Sequence, residues 1–99
     1  MFHMVVTYNR PADTEAFLEH YRTSHAVKAA KMPGLRSFTW GTTQSLDGSE
    51  PAAFLVASLA FDSKDAMLAA LGSPEGVEAN ADMELMPHSG FAMHTYQDA

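Results

Sequence analysis

Tyr21 and His25 are the two side chains in this sequence whose types and spacing could do chemistry together. They stand four residues apart, so a helix carries both on one side and they can line the same cavity. A histidine with a near-neutral pKa suits proton abstraction beside a carbonyl, and a phenol can position the reactant or stabilise the oxyanion that forms. The competing reading is structural. An imidazole is buried only where a partner compensates for lost water, so His25 could be a core histidine donating to a backbone carbonyl or a hydroxyl.

Helical phase sharpens both readings. A helix advances about 100° per residue. With Leu18 as reference, Tyr21, His25 and Ala29 fall within about 60° of it, and Phe17 lies about 100° away. Asp13, Ala16, His20, Thr23 and Val27 occupy the other side. His25 thus belongs to the buried stripe, while His20 points to solvent.

The elements that must position these residues follow from pattern. Phe2 to Tyr8 alternates, with Phe2, Met4, Val6 and Tyr8 on one face, and reads as a strand. Asp13 or Thr14 caps a helix running to about Lys31, which Pro33-Gly34 terminates. Leu35 to Thr43 is a second strand, with Arg36, Phe38 and Trp40 on one face. The polar stretch from Gln44 to Pro51, with its Asp47-Gly48 pair, turns the chain into a third, near-continuously apolar strand from Ala52 to Phe61. Asp62-Ser63 caps a helix from Lys64 to Leu71, and Ser73-Pro74 opens a further short helix to about Met83. A last strand spans roughly His88 to Tyr96.

This βαββαβ order predicts an α+β, ferredoxin-like fold: one antiparallel sheet with its helices on one face. Residues 1–99 form a single domain. The bare sheet face would expose Phe38 and Trp40, or Phe54 and Val56, according to register. Such a patch calls for cover, so a homodimer through the sheet face is expected. A chain of 99 residues with 46% hydrophobic and 18% charged residues fits a globular domain that gains from added burial.

Composition also excludes. A net charge of −6 with six scattered basic residues argues against nucleic acid. The absence of cysteine removes disulfides, thiolate zinc sites and a cysteine nucleophile. No apolar run suits a bilayer and Met1-Phe2-His3-Met4 does not begin a signal peptide, so no membrane partner and a cytoplasmic location are expected. No Gly-rich phosphate loop or nucleotide fingerprint appears, and no NAD, flavin, ATP or other cofactor is expected.

Other residues invite a site reading. Trp40 and Phe38 could bind an aromatic or apolar substrate, with Phe17 as a further wall, although packing in a dimer core is the plainer role for strand aromatics. His20 and His25 point to different sides of their helix and cannot chelate one ion. His3 and His94 become neighbours only if the first and last strands pair, and no further ligands converge, so no metal site is expected. Asp82 and Glu84, near a helix end, read as solvated.

Tyr21, His25 and the run Met32-Pro33-Gly34-Leu35-Arg36 resemble the signature of EthD-type proteins of the dimeric α+β barrel superfamily. Ser73-Pro74-Glu75-Gly76 is similar to that family's later Ser-x-Glu-Gly segment, and the element order agrees along essentially the whole chain. Val27-Lys28 departs from the pattern, which commonly has a proline two residues after the histidine; without it the helix can continue. The resemblance implies a barrel formed by two sheets, with a ligand cavity between each sheet and its helices. Its superfamily includes lactone isomerases, polyketide cyclases and dehydratases, and cofactor-independent monooxygenases, while EthD-type proteins are associated with degradation of ethyl tert-butyl ether. The resulting expectation is a small cofactor-independent enzyme that moves a proton on an apolar, carbonyl-bearing molecule, with His25 as acid/base and Tyr21 as positioning group. The alternative is a noncatalytic dimeric binding or accessory protein of a catabolic pathway. An enclosed pocket of about 300 Å³ reaching His25 would favour a small-molecule role.

Overall fold

The computed structural model describes residues 1–99. Its elements are β1 (Phe2–Tyr8), α1 (Thr14–His20), a π-helical segment (Tyr21–His25), α2 (Ala26–Ala29), β2 (Ser37–Thr42), β3 (Leu55–Phe61), α3 (Lys64–Gly72), α4 (Pro74–Leu85) and β4 (Phe91–Gln97). The four strands form one sheet in the order β2-β3-β1-β4, every neighbouring pair antiparallel. This is the ferredoxin-like arrangement, with the helices packed on one face.

Alternation decides which residues meet the helices. Met4, Val6 and Tyr8 of β1 and Leu55, Ala57 and Leu59 of β3 are buried beneath them. Register decides between the two alternatives for the bare face, leaving Val56 there. Phe38 lies opposite Leu59 and Trp40 opposite Ala57, so both face the helix layer rather than the bare side of the sheet. Phe54 is also in the core, its ring edge-on to Phe17. The open face instead carries His3, Val5, Thr7, Thr39, Val56, Ser58, His94 and Tyr96. His3 pairs across the strands with Tyr96, and His94 with Val5, so the two histidines are diagonal neighbours only. His3 stacks on Tyr96 at 4.7 Å and bonds Asp98 at 2.6 Å.

Local chemistry sets the helix ends. Asp13 caps α1 by accepting from the Ala16 amide, and Ser63 does the same for α3 from Ala66. Gly34, with φ of 80°, takes the left-handed turn that leads from α2 towards β2. The buried side of the first helix runs Phe17, Tyr21, His25, Ala29, and so centres on Phe17 rather than on Leu18, which is only half-buried.

At the α3–α4 corner the Ser73 hydroxyl donates to the Ala70 carbonyl and accepts from the Gly76 amide, joining the two helices. A Cβ on Gly76 would lie 2.1 Å from the Ala70 oxygen and 2.7 Å from that of Leu71, both backbone atoms. Gly76→Ala is therefore expected to destabilise the fold by roughly 3 kcal/mol, the upper range for overpacking. Urea unfolding measures it, and a loss under about 0.5 kcal/mol would show that the corner yields freely.

Candidate functional site

The site begins with an irregularity in the first helix. Between α1 and α2 the backbone bonds widen from i→i+4 to i→i+5: the Ala26 amide donates to the Tyr21 carbonyl. The Thr23 hydroxyl also bonds the Glu19 carbonyl, the kind of side-chain bond that bends helices. A π-helical turn brings residues five apart onto the same side of the helix, and such turns recur at functional sites. His20 and His25 are five apart. The expectation that His20 points to solvent is corrected on this ground: both imidazoles turn towards α4 and meet one carboxylate, Asp82.

Asp82 is 1% exposed, which corrects its reading as a solvated residue. On α4 it falls on the inward stripe with Ala79, Met83 and Met86, where the first helix covers it. Its Oδ1 accepts from the Ser24 hydroxyl at 2.9 Å, His20 Nε2 at 3.1 Å and Lys28 Nζ at 3.3 Å. Its Oδ2 takes His25 Nδ1 at 3.2 Å and shares His20 Nε2 at 3.2 Å. Burial by itself would raise the Asp82 pKa, but the bonds from Ser24, His20 and Lys28 outweigh it and hold the carboxyl below its usual range. Four side chains thus converge on one buried anion.

His25 is 7% exposed. Burial pushes its pKa below the ordinary 6.5, more strongly than Asp82 beside it pulls the value up. The ring is therefore neutral at pH 7. Because Nδ1 faces a carboxylate, Nδ1 carries the proton and Nε2 keeps its lone pair.

His25 lines a cleft between the helices and the sheet. Met4, Val6, Tyr8, Tyr21, Phe38 and Met83 are among its other walls. Its free volume is about 50 Å³, well short of the 300 Å³ that a substrate of ordinary size would fill. In this state it accommodates a few atoms beside His25. Four methionines, Met4, Met32, Met83 and Met93, border it, and such unbranched side chains are the ones that yield to a guest.

Tyr21, 1% exposed, sits at the centre of an aromatic group. Its ring centroid lies 5.2 Å from that of His25, 4.7 Å from Trp40 and 5.7 Å from Tyr8. The five residues singled out by sequence therefore divide. His25, Tyr21 and Phe38 line the cleft. Trp40 packs against Tyr21, and Phe17, fully buried, lies between Tyr8, Tyr21 and Phe54; these two support the wall. Asp82, His20, Ser24, Lys28 and Tyr8 are the residues that sequence reasoning missed. For Asp82 a signal was present: a carboxylate in phase with Ala79, Met83 and Met86. No three His, Asp or Glu side chains are placed to hold a metal ion, and no helix is long and apolar enough to cross a membrane.

The EthD domain profile matches residues 9–88. An uncharacterised 11.0 kDa protein from the thcB–thcC intergenic region of Rhodococcus erythropolis is 39% identical over 93 residues, spanning 94% of this chain and 90% of the relative. An ethyl tert-butyl ether degradation (EthD) family protein of Bacillus halodurans superposes with a TM-score of 0.91 at 24% identity, over 100% of this chain and 99% of that one. A dimeric ferredoxin-like protein of unknown function from Bacteroides fragilis gives 0.72 at 17% identity, over 98% and 95%. SnoaB, a cofactor-independent oxygenase of Streptomyces nogalater, solved as a point mutant, gives 0.70 at 15% identity, over 98% and 91%. The structural likenesses establish the fold.

Proposed function

The chain belongs to the EthD family, and from that premise we propose that it is a small cofactor-independent enzyme acting by proton transfer on an apolar, carbonyl-bearing molecule. One observation carries the reading: a buried histidine lines an apolar cleft while a fully buried carboxylate holds its Nδ1. His25 Nε2 is the base, and Asp82 orients the ring and stabilises the imidazolium that forms. Tyr21, beside it, donates to the oxygen on which charge develops. An ether has no acidic C–H next to a carbonyl, so in an ether-degrading pathway this chemistry fits a carbonyl product of ether cleavage rather than the ether.

The active unit in this proposal is a homodimer. The sheet face opposite the helices presents Val5, Val56 and Tyr96, and β4 is exposed along its whole length. A second copy laid on that face would remove it from water. Proteins of the same fold from Bacteroides fragilis and Thermobifida fusca are dimeric.

Deuterium exchange tests the chemistry without knowledge of the natural substrate. In D2O the protein should accelerate loss of the α-protons of a cyclic ketone such as 2-tetralone, followed by proton NMR. His25→Ala should remove two to four decades of that acceleration, and Tyr21→Phe one to three. Equal rates for wild type and His25→Ala across cyclic ketones, lactones and phenols would end the catalytic reading. The alternative is a noncatalytic binding or accessory protein of a catabolic pathway, in which ligands bind and no exchange occurs; the small free volume favours instead a structural role for His25 and Tyr21, in which no ligand binds either.

A further inference from the structure

The polar groups of the cleft are few and all uncharged. They come from Tyr8 and Tyr21, the neutral ring of His25, and Asn80 at the exposed rim; methionines, aliphatic side chains and Phe38 make up nearly all the rest. Neither phenol has a hydrogen-bond partner within the protein, and neither oxygen is sealed away from accessible space. Burial raises both phenol pKa values well above 10.0, and for Tyr8 the nearby Asp82 charge adds to the effect, so both stay protonated donors.

No cation reaches the cleft. Lys28 is taken by Asp82 and Glu78, Arg36 by Asp62, Arg22 by Glu19, and Arg10 by Glu50 and the Phe54 ring. Lys31 and Lys64 are exposed, and neither borders the cleft. The charged group in contact with the cleft's His25 is the carboxylate of Asp82, which Lys28 already pairs. An anion brought into this apolar space would lose its water, find no counter-charge and face that carboxylate. A neutral carbonyl or phenol would instead meet two unpaired O–H donors.

We infer that the cleft selects uncharged ligands bearing a carbonyl or phenolic oxygen, and that Tyr8 shares with Tyr21 the task of donating to that oxygen. This rests on the proposed small-molecule role of the cleft and narrows it. Ketones, esters, lactones and phenols are admitted; carboxylates and phosphates are refused. Tyr8 is then a specificity determinant, reaching the site from β1 rather than from the helix.

Acetophenone and benzoate are nearly the same shape and differ in charge, so they make the test. Ligand-observed NMR at pH 7.5 should show acetophenone binding at least tenfold more tightly than benzoate. Tyr8→Phe, which keeps the ring and its packing, should weaken acetophenone about three- to tenfold, the worth of one hydrogen bond, with the melting curve as control. Met93, at the cleft and 44% exposed, offers the reverse experiment: Met93→Lys should raise benzoate affinity at least threefold. Benzoate binding as tightly as acetophenone, or saturable binding of neither probe, would overturn the inference. Failure of deuterium exchange with neutral selectivity intact would leave it standing and remove only the catalytic reading.

Discussion

Asp82→Ala should lower the midpoint of thermal unfolding by on the order of 15 °C. The residue is 1% exposed and receives His20, Ser24, His25 and Lys28. Its removal leaves those donors facing a void, and breaking a buried charge cluster from one side costs about 3 kcal/mol. In a domain of this size each kcal/mol moves the midpoint by about 4–8 °C. The cluster also ties the first helix to α4, so the loss falls on the contact between two parts of the helix layer. Differential scanning calorimetry measures the shift, and a fall of under about 3 °C would mean that the carboxylate holds nothing together.

The same residues set the response to acid. His25 has a folded-state pKa below 6.5, so the unfolded chain binds more protons, and stability declines as pH falls from about 6.5 towards the folded value. Asp82 has a folded-state pKa below 3.8, so its contribution is present above 3.8 and is lost as pH falls through the depressed value. The two steps add in one direction. Asp82→Ala should lack the lower step and keep the upper one.

Much of this architecture was legible from residue pattern. Alternation in Phe2 to Tyr8 assigns the faces of β1, and the caps Asp13, Ser63 and Ser73 mark three helix starts where the structure has them. These signals are local, and local chemistry decides them. Two things escaped. The helical wheel assumes 3.6 residues per turn, and a π-helical segment breaks that assumption in the one place where it matters, between His20 and His25. No composition signal announces such a segment, because it is stabilised by what the helix packs against. The face chosen by Phe38 and Trp40 was open for a related reason. It depends on the register of β2 against β3, a pairing that sequence alternation leaves free by one residue.

Asp82 was the legible residue that went unread. Judged by its place near a helix end, an aspartate is solvated; judged by its phase with Ala79, Met83 and Met86, it lies on the buried stripe. A charged group on an apolar stripe implies partners of opposite charge on the facing helix. His20, Ser24, His25 and Lys28 were the polar residues available there. Spacing on one helix pairs His25 with Tyr21, while contact between helices pairs it with Asp82. The second pairing decides which of its nitrogens carries the proton.

Asp82→Asn should abolish the basic function of His25 while sparing most of the fold, and the reason lies in how the donors divide. Ser24 and Lys28 donate to Oδ1 alone and His20, though shared with Oδ2, reaches Oδ1 as well, so the asparagine carbonyl is held at that position. The amide nitrogen then takes the place of Oδ2 and points its N–H at His25 Nδ1. The imidazole must answer with a lone pair on Nδ1, which moves its proton to Nε2 and turns that nitrogen from acceptor to donor. Deuterium exchange on 2-tetralone should fall by about two to four decades. In wild type the rate should be flat at pH 6.5 and above and decline only as pH falls through the folded-state pKa, which lies below 6.5, because protonation of His25 consumes the base. Nitrogen-15 NMR of the imidazole gives a readout independent of activity, with Nδ1 protonated in wild type and Nε2 protonated in the variant. If the variant kept the wild-type tautomer and the wild-type exchange rate together, Asp82 would be a structural anchor and no part of the proton-transfer site.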